Sequence, residues 1–140
     1  MKLTIITPCF NSAKTILHCI KSVRTQSRHA NHIVIDGQSN DGTVDLLRRE
    51  PIHRFISEPD SGVYDAMNKG IQLLDNGIVG ILNADDYYAH SNVLEKVADA
   101  FENPDIDSCY GDLVYVDHEN GEEILRYWKA GEFNLSLIHI

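Results

Sequence analysis

Along this chain, short apolar runs alternate with longer segments in which apolar residues recur at three- and four-residue steps. Leu3-Thr4-Ile5-Ile6-Thr7 is β-branched and apolar and Pro8 closes it, which predicts a buried strand. From Ser12 the period changes: Ala13, Ile16, Leu17, Ile20 and Val23 fall on one helical face, and Asn11 or Ser12 stands ready to cap it. His32 to Asp36 reads as a second strand. A polar loop from Gly37 to Gly42 follows, and Asp41 or Thr43 can cap a helix that carries Val44, Leu46 and Leu47 and ends at Pro51. Arg54 to Ser57 is a weaker strand. Val63, Ala66, Met67, Gly70, Ile71 and Leu74 form the clearest amphipathic helix. Strand Ile78 to Leu82 comes next, then a helix with Leu94, Val97, Ala98 and Phe101, opened by Asn92 and Glu95 at capping-box spacing. Beyond Pro104 the period is two, in Ser108-Cys109-Tyr110 and Leu113 to Val116. A turn at Glu119-Asn120-Gly121 leads to Ile124 through Trp128, and the pattern predicts a β-hairpin.

Strands alternating with helices predict an α/β, Rossmann-like fold: a mostly parallel sheet with helices on both faces and a C-terminal hairpin. In such sheets ligands bind outside the carboxyl ends of the strands. The residues expected there are Thr7-Pro8-Cys9, Asp36-Gly37, Ser57-Glu58-Pro59-Asp60 and Asn83-Ala84-Asp85-Asp86, and all should meet along one edge.

Composition narrows the partners. The 140 residues suit about one domain, and 43% hydrophobic content suffices for a core. A formal net charge of −9 gives no basic footprint, which argues against a nucleic-acid partner. A small anion could still be held by backbone N–H groups and a metal ion. Cys9, Cys19 and Cys109 form no CxxC pair, and His29 and His32 make a lone HxxH without a third ligand. The N-terminal apolar run is too short for a secretion signal, and no apolar stretch is long enough to span a membrane. A soluble cytoplasmic protein is expected, with peripheral association at the inner face of a membrane left open.

The candidate chemistry lies at the strand ends. Asp85 and Asp86 repel each other when both are ionised, and a divalent cation, Mg²⁺ or Mn²⁺, relieves that repulsion while bridging a diphosphate. The alternative is that one of them simply caps a turn before Tyr87. Asp36 can accept hydrogen bonds from a base or ribose, or it can close an Asx-turn. Lys69 could reach a phosphate or be merely solvated. Tyr64, Asp65 and Asn68 could line the cleft or face water. No GxGxxG, GxxxxGK[ST] or GxSxG motif is present.

Together, TIITPCFN, VIDGQSNDGT, SEPDSGVYDAMNKGI, LNADD and CYGD, in that order, resemble the family 2 glycosyltransferases of GT-A fold, most closely those of bacterial polysaccharide and cell-envelope pathways. The likeness covers residues 3 to 128. It implies a nucleotide-diphosphate-sugar donor, an acceptor hydroxyl on a carbohydrate or lipid-linked glycan, and transfer with inversion. By the family pattern Thr7, Pro8 and Asn11 sit by the nucleotide, Asp36 holds the base, and Ser39 and Asp41 shape the adjoining loop. Asp60, Asp65, Asn68 and Lys69 match the stretch that approaches the diphosphate and sugar. Asn83, Ala84, Asp85 and Asp86 match the acidic metal motif, with Asp85 and Asp86 as metal ligands and, through the metal, the catalytic residues. Two departures stand out: Asn83 replaces the first acid of the usual Asp-x-Asp-Asp, and Cys9 stands where an aromatic is frequent, followed by Phe10.

Family members usually continue well past this point, and no general base is matched before residue 134. Residues 1–134 are therefore expected to be an incomplete nucleotide-sugar-binding domain. Leu135 to Ile140, LSLIHI, is also encoded by a sequence that resembles a transposon-end sequencing adaptor and is expected to be non-native, the competing reading being a true apolar strand or helix start. The competing reading of activity is a fragment that binds nucleotide sugar without turnover. A nucleotidyltransferase would carry a Gly-rich basic loop after the first strand, which TPCFNSAKT lacks.

Overall fold

The computed structural model of the chain describes residues 1–117 and 123–131. In chain order the elements are β1 (Leu3–Cys9), α1 (Ile16–Arg24), β2 (Asn31–Asp36), α2 (Thr43–Leu47), β3 (Arg54–Ser57), α3 (Val63–Ile71), β4 (Ile78–Ile81), α4 (Val93–Ala100), β5 (Leu113–Val116) and β6 (Ile124–Trp128). The chain divides into two compact units, residues 1–103 and 104–140.

The first unit is built on a four-stranded sheet of order β3-β2-β1-β4, with every pairing parallel. Alternation along the strands sends their side chains to two cores. Leu3 and Ile5 pack with Cys19 and Val23 of α1 and Leu94 of α4. Beside them Cys9 and Val34 pack with Ile16 and Ile20 of α1, Leu47 and Ala84. On the opposite face Ile6, Ile33 and Ile35 meet Ala66 of α3. Helices thus cover both faces, as the strand–helix alternation requires. α3 approaches β1 closely because Gly70 has no side chain; a Cβ there would lie 2.6 Å from Ile6 Cγ2.

Local details depart from expectation for identifiable reasons. β1 runs through Pro8 to Cys9 instead of stopping at Thr7. Its ladder with β4 ends at Ile6, so beyond that point only β2 lies alongside and the N–H that Pro8 lacks is not missed. α1 begins at Ile16, after a turn in which Thr15 and Ile16 N–H both bond the Ser12 carbonyl, and neither Asn11 nor Ser12 caps it with a side chain. Asn92 occupies the N-cap position of α4 without a side-chain bond, and Glu95 instead accepts from Ser27 Oγ (2.9 Å). The first turn of α4 is capped from a distance: Gln26 Oε1 accepts the Leu94 N–H (3.0 Å) while its Nε2 donates to the carbonyls of Ser22 (3.1 Å) and His90 (2.8 Å).

In the second unit β5 and β6 pair antiparallel, from Leu113 opposite Trp128 to Val116 opposite Ile124, with an irregularity at Tyr115/Val116. Asp112 anchors the open end, accepting from Tyr127 Oη (2.7 Å) and Ala130 N–H (2.8 Å). The Arg126 guanidinium lies 5.3 Å over the Trp128 ring. Ser108 to Tyr110 is not a strand. The expected turn at Glu119-Asn120-Gly121 and the segment from Leu135 to Ile140 lie outside the described residues.

Candidate functional site

The parallel register brings the carboxyl ends of β1 and β2 level, with Cys9 opposite Asp36. The loops that follow are stitched together. Asn11, held at φ 47°, donates its N–H to Ser39 Oγ (2.7 Å) and accepts the Asn40 N–H on its side-chain oxygen (3.0 Å). Positive φ is tolerated by Asn better than by most residues, which suits it to this corner. Asp41 accepts the Ala13 N–H (3.0 Å) on one oxygen and the Thr43 N–H (3.1 Å) and hydroxyl (2.6 Å) on the other. The hydrogen bonds from Thr43 and Ala13 hold the Asp41 carboxyl below the usual carboxylate range. Thr43 Oγ1 in turn accepts the Ser12 N–H (2.9 Å). Asn11, Ser39 and Asp41 therefore act as a clasp between two loops, each bonded across to the other loop or within its own.

Asp36 is fully buried, at 0% exposure. Its Oδ1 accepts from Ser39 Oγ and Cys9 Sγ (3.5 Å), and its Oδ2 accepts from Ser39 N–H (3.0 Å) and Ser57 Oγ (2.6 Å). Four donors match the roughly four lone-pair positions a carboxylate offers. The sequence expectation placed Asp36 against a base; here the carboxylate is turned inward by the strand pleat and organises three loops from within. Burial, followed by the charge of Asp36 and the hydrogen bond to it, pushes the Cys9 thiol far up, so it stays protonated and donates.

Thr7 is likewise at 0% exposure, on the inward face of β1. Its hydroxyl contacts His32 Nε2 (2.9 Å) and Cys19 Sγ (3.7 Å), and Cys19 Sγ donates to the Asn83 carbonyl (3.6 Å). A buried line of polar groups thus runs from β2 through β1 and α1 to the loop after β4. Thr7 lies within this line and not at the surface, where the sequence reading had set it beside a nucleotide. Burial lowers the His32 pKa to about 4 and raises that of Cys19 to about 11.

The loop after β4 starts where Leu82 N–H bonds the Ile6 carbonyl (3.0 Å). Ala84 is buried in the same cluster as Cys9, which seats the loop beside the β1 end, and Asn83, Asp85 and Asp86 are exposed around it. Asn83 Nδ2 donates to Asp86 Oδ2 (3.2 Å), and Asp86 N–H closes the turn on the Asn83 carbonyl (3.0 Å). Partial burial raises the Asp86 pKa, the Asn83 amide offsets part of that, and the neighbouring Asp85 adds to the rise. Tyr87, next in sequence, stacks on His18 of α1 with ring centroids 3.9 Å apart.

Across the edge, Pro8, Cys9 and Phe10 face Asp60, Val63 and Ala66 over a cavity of about 220 Å³. That is below the roughly 300–1,000 Å³ of pockets that enclose drug-sized ligands, so it suits a single ring or group. Phe10 is 62% exposed at its rim. Sequence reasoning noted Phe10 only as the neighbour of Cys9; the strand pleat was the available signal, since it turns Cys9 inward. Asp60 Oδ1 accepts the Gly62 N–H (2.9 Å), and Gly62 enters α3 at φ 111°, a conformation that favours glycine. Asp65 accepts the Ser61 N–H (2.9 Å). Lys69 Nζ pairs with Glu58 (3.0 Å) and donates to the Pro59 carbonyl (2.7 Å), with Asp65 at 3.6 Å. These contacts, led by the Glu58 hydrogen bond, raise the Lys69 pKa and tie its ammonium to the loop. Asn68 is exposed on α3.

A divalent cation fits the loop after β4 in a limited way. Among the described residues no three His, Cys, Asp or Glu side chains are grouped to hold a metal by themselves. Two adjacent carboxylates and an amide oxygen are the donor set of a Mg²⁺- or Mn²⁺-type site that is completed by ligand phosphates and water, and not of a dedicated protein cage.

The family profile described as Glycosyl transferase family 2 matches residues 4–138. A PGL/p-HBAD biosynthesis glycosyltransferase of Mycobacterium tuberculosis is 35% identical over 122 residues, covering 79% of this chain and 46% of the relative. The putative teichuronic acid biosynthesis glycosyltransferase TuaG of Bacillus subtilis is 34% identical over 99 residues, covering 66% of this chain and 39% of the relative. The chain thus spans less than half the length of these curated relatives. Among solved structures, S. aureus TarS 1–349 in complex with UDP-GlcNAc superposes with a TM-score of 0.66 at 22% identity, covering 73% of this chain and 31% of that one. Mannosyltransferase PcManGT from Pyrobaculum calidifontis, in complex with GDP-Man and Mn²⁺, gives 0.71 at 24% identity, covering 79% and 35%. Both share the GT-A fold with this chain.

Proposed function

The chain belongs to glycosyl transferase family 2, and on that premise we propose that its sheet edge binds a nucleotide-diphosphate sugar for metal-assisted, inverting transfer to an acceptor hydroxyl in polysaccharide or cell-envelope glycan synthesis. The observation that carries the reading is the convergence of loops after β1, β2 and β4: Asn11 bonded to Ser39 and Asn40, Ala13 to Asp41, and Cys19 to Asn83, with Ala84 packed beside Cys9. That edge of an α/β sheet is where such folds bind ligands. The names of the relatives support the pathway class, and the ligands of the two solved neighbours support the donor class.

In this reading Pro8 and Phe10 meet the nucleoside, Asn11, Ser39 and Asp41 keep the loops in register, and Asp65, Asn68 and Lys69 lie on the side of the diphosphate and sugar. Thr7 and Asp36 are positioning residues that act through Cys19 and Ser39. Asp85 and Asp86, with the Asn83 amide oxygen, would hold Mn²⁺ or Mg²⁺. A cation held there neutralises charge on the departing diphosphate, an effect worth several kcal/mol in comparable sites, roughly 3 per well-placed group. The Asn83 amide holds Asp86 in place, and replacing an acid by an amide at 83 leaves one negative charge fewer to repel the diphosphate. An acceptor hydroxyl attacking from the face opposite the diphosphate inverts the anomeric carbon. A carbohydrate or lipid-linked acceptor is part of this proposal, and the pathway names of the relatives are compatible with it. Among the described residues no helix is long and apolar enough to cross a membrane, so contact with a lipid-linked acceptor would be peripheral for this part of the protein.

A thermal-shift screen over nucleotide sugars with and without Mn²⁺ tests the reading, because a ligand that binds only the native state raises the melting temperature. One or more nucleotide sugars should shift Tm in the presence of Mn²⁺. No shift with any of them would remove the proposal.

A further inference from the structure

The edge holds several acids, and they differ in what they have left to offer. Asp36 has no exposed surface and four donors already on its oxygens. Asp41 has both oxygens on the loop clasp. Asp60 is different. It lines the 220 Å³ cavity with Pro8 and Phe10, and one oxygen, Oδ1, is committed to Gly62 N–H (2.9 Å). The other, Oδ2, sits 2.6 Å from the point where a Cβ on residue 37 would stand. Gly37 is therefore what allows the Asp60 carboxylate to swing over the end of β2 and occupy space that a side chain at 37 would fill.

We propose that Asp60, seated over Gly37, is the acid that reads the nucleobase, and that its uncommitted oxygen selects a base whose ring edge carries an N–H over one that presents a lone pair there. The inference rests on the donor-binding reading above and assigns the base to a residue that the sequence resemblance had put beside the diphosphate. The chemistry follows from donor and acceptor inventory. A carboxylate oxygen only accepts. Uracil and thymine present N3–H, one donor for one oxygen. Cytosine N3 and adenine N1 present a lone pair, which a carboxylate repels. Guanine presents N1–H as well, so a carboxylate groups it with uracil and thymine against cytosine and adenine. The apolar walls, Pro8 and the exposed Phe10 ring, provide flat contact without base preference, which leaves discrimination to the acid.

Calorimetric titration of the chain with UDP, dTDP, GDP and CDP, each with Mn²⁺, tests this. UDP and dTDP should bind about tenfold or more tighter than CDP, the usual size of one charge-assisted hydrogen bond gained against one repelled. Asp60→Asn keeps an oxygen for Gly62 N–H but can turn its amide NH₂ toward cytosine N3, so the UDP/CDP ratio should collapse to within about threefold. Gly37→Ala should do the same with the net charge unchanged, by displacing the carboxylate. A UDP/CDP ratio unchanged in both variants overturns the assignment while leaving donor binding intact, as does a wild-type preference for CDP. If no nucleoside diphosphate binds the wild-type chain at all, the donor reading fails and this inference with it.

Discussion

His32 makes the buried line of polar groups accessible to measurement. The ring is 6% exposed, bonded to Thr7, and burial lowers its pKa to about 4 from an ordinary 6.5. In the folded chain it is therefore neutral down to about pH 4, while in the unfolded chain it takes up a proton below about pH 6.5. Between those values the unfolded state binds more protons, so stability must fall as pH falls; above pH 6.5 the group contributes no slope. At about 1.36 kcal/mol per full pH unit, and allowing for the gradual onset around pH 6.5, roughly 1.5 kcal/mol is lost between pH 6.5 and 5 and about 2.5 by pH 4. Urea denaturation of the wild type and of His32→Gln at pH 6.5, 5.5 and 5.0 isolates this, because the other histidines and the carboxylates are common to both proteins. The wild type should lose roughly 1.5 kcal/mol more than the variant over that range. Parallel pH dependences would mean that His32 is protonated or hydrated in the folded state, and the buried line to Asn83 would have to be abandoned.

Two further substitutions probe the scaffold. Gly70→Ala puts a methyl group 2.6 Å from Ile6 Cγ2, and should destabilise by about 1–3 kcal/mol in chemical denaturation, since α3 and β1 must separate to admit it. Gln26→Leu keeps a side chain of similar size but strips the Leu94 N–H and the carbonyls of Ser22 and His90 of their partner; a loss of about 1–3 kcal/mol is expected, with faster amide exchange at the start of α4.

Much of the fold was legible because its strands are short, β-branched apolar runs and its helices carry one apolar face. Val34 and Ile35 could hardly be elsewhere than in a covered sheet, and Ala66 and Gly70 mark the stripe by which α3 packs. The convergence of strand ends followed from the parallel arrangement alone. What escaped was the direction of individual polar side chains. Thr7 and Asp36 lie at strand ends, where a site is expected, yet alternation puts Thr7 on the face of Ile5 and Asp36 on that of Val34, both facing helices. Capping failed for a related reason. Asn11 and Ser12 stand where a helix cap should, but the Asn11 side-chain oxygen accepts the N–H of Asn40, 29 residues away, and Ser12 Oγ turns back to the Phe10 carbonyl, so neither reaches the first turn. Local sequence cannot weigh such long-range partners. Asp85 and Asp86 follow the last strand of the sheet and stay exposed, with only the local Asn83 amide bonded to Asp86, so their position at the edge was legible from sequence order.

The most direct measurement is calorimetry of the wild type, Asp85→Ala and Asp86→Ala with a nucleotide sugar that shifts the melting temperature, titrated with and without Mn²⁺. The account predicts that the wild type binds only or far more tightly with Mn²⁺ present, and that each substitution removes most of that gain, about 3 kcal/mol or roughly a hundredfold in affinity. Equal wild-type affinity without Mn²⁺, or unchanged Mn²⁺-dependent affinity in both variants, would contradict it.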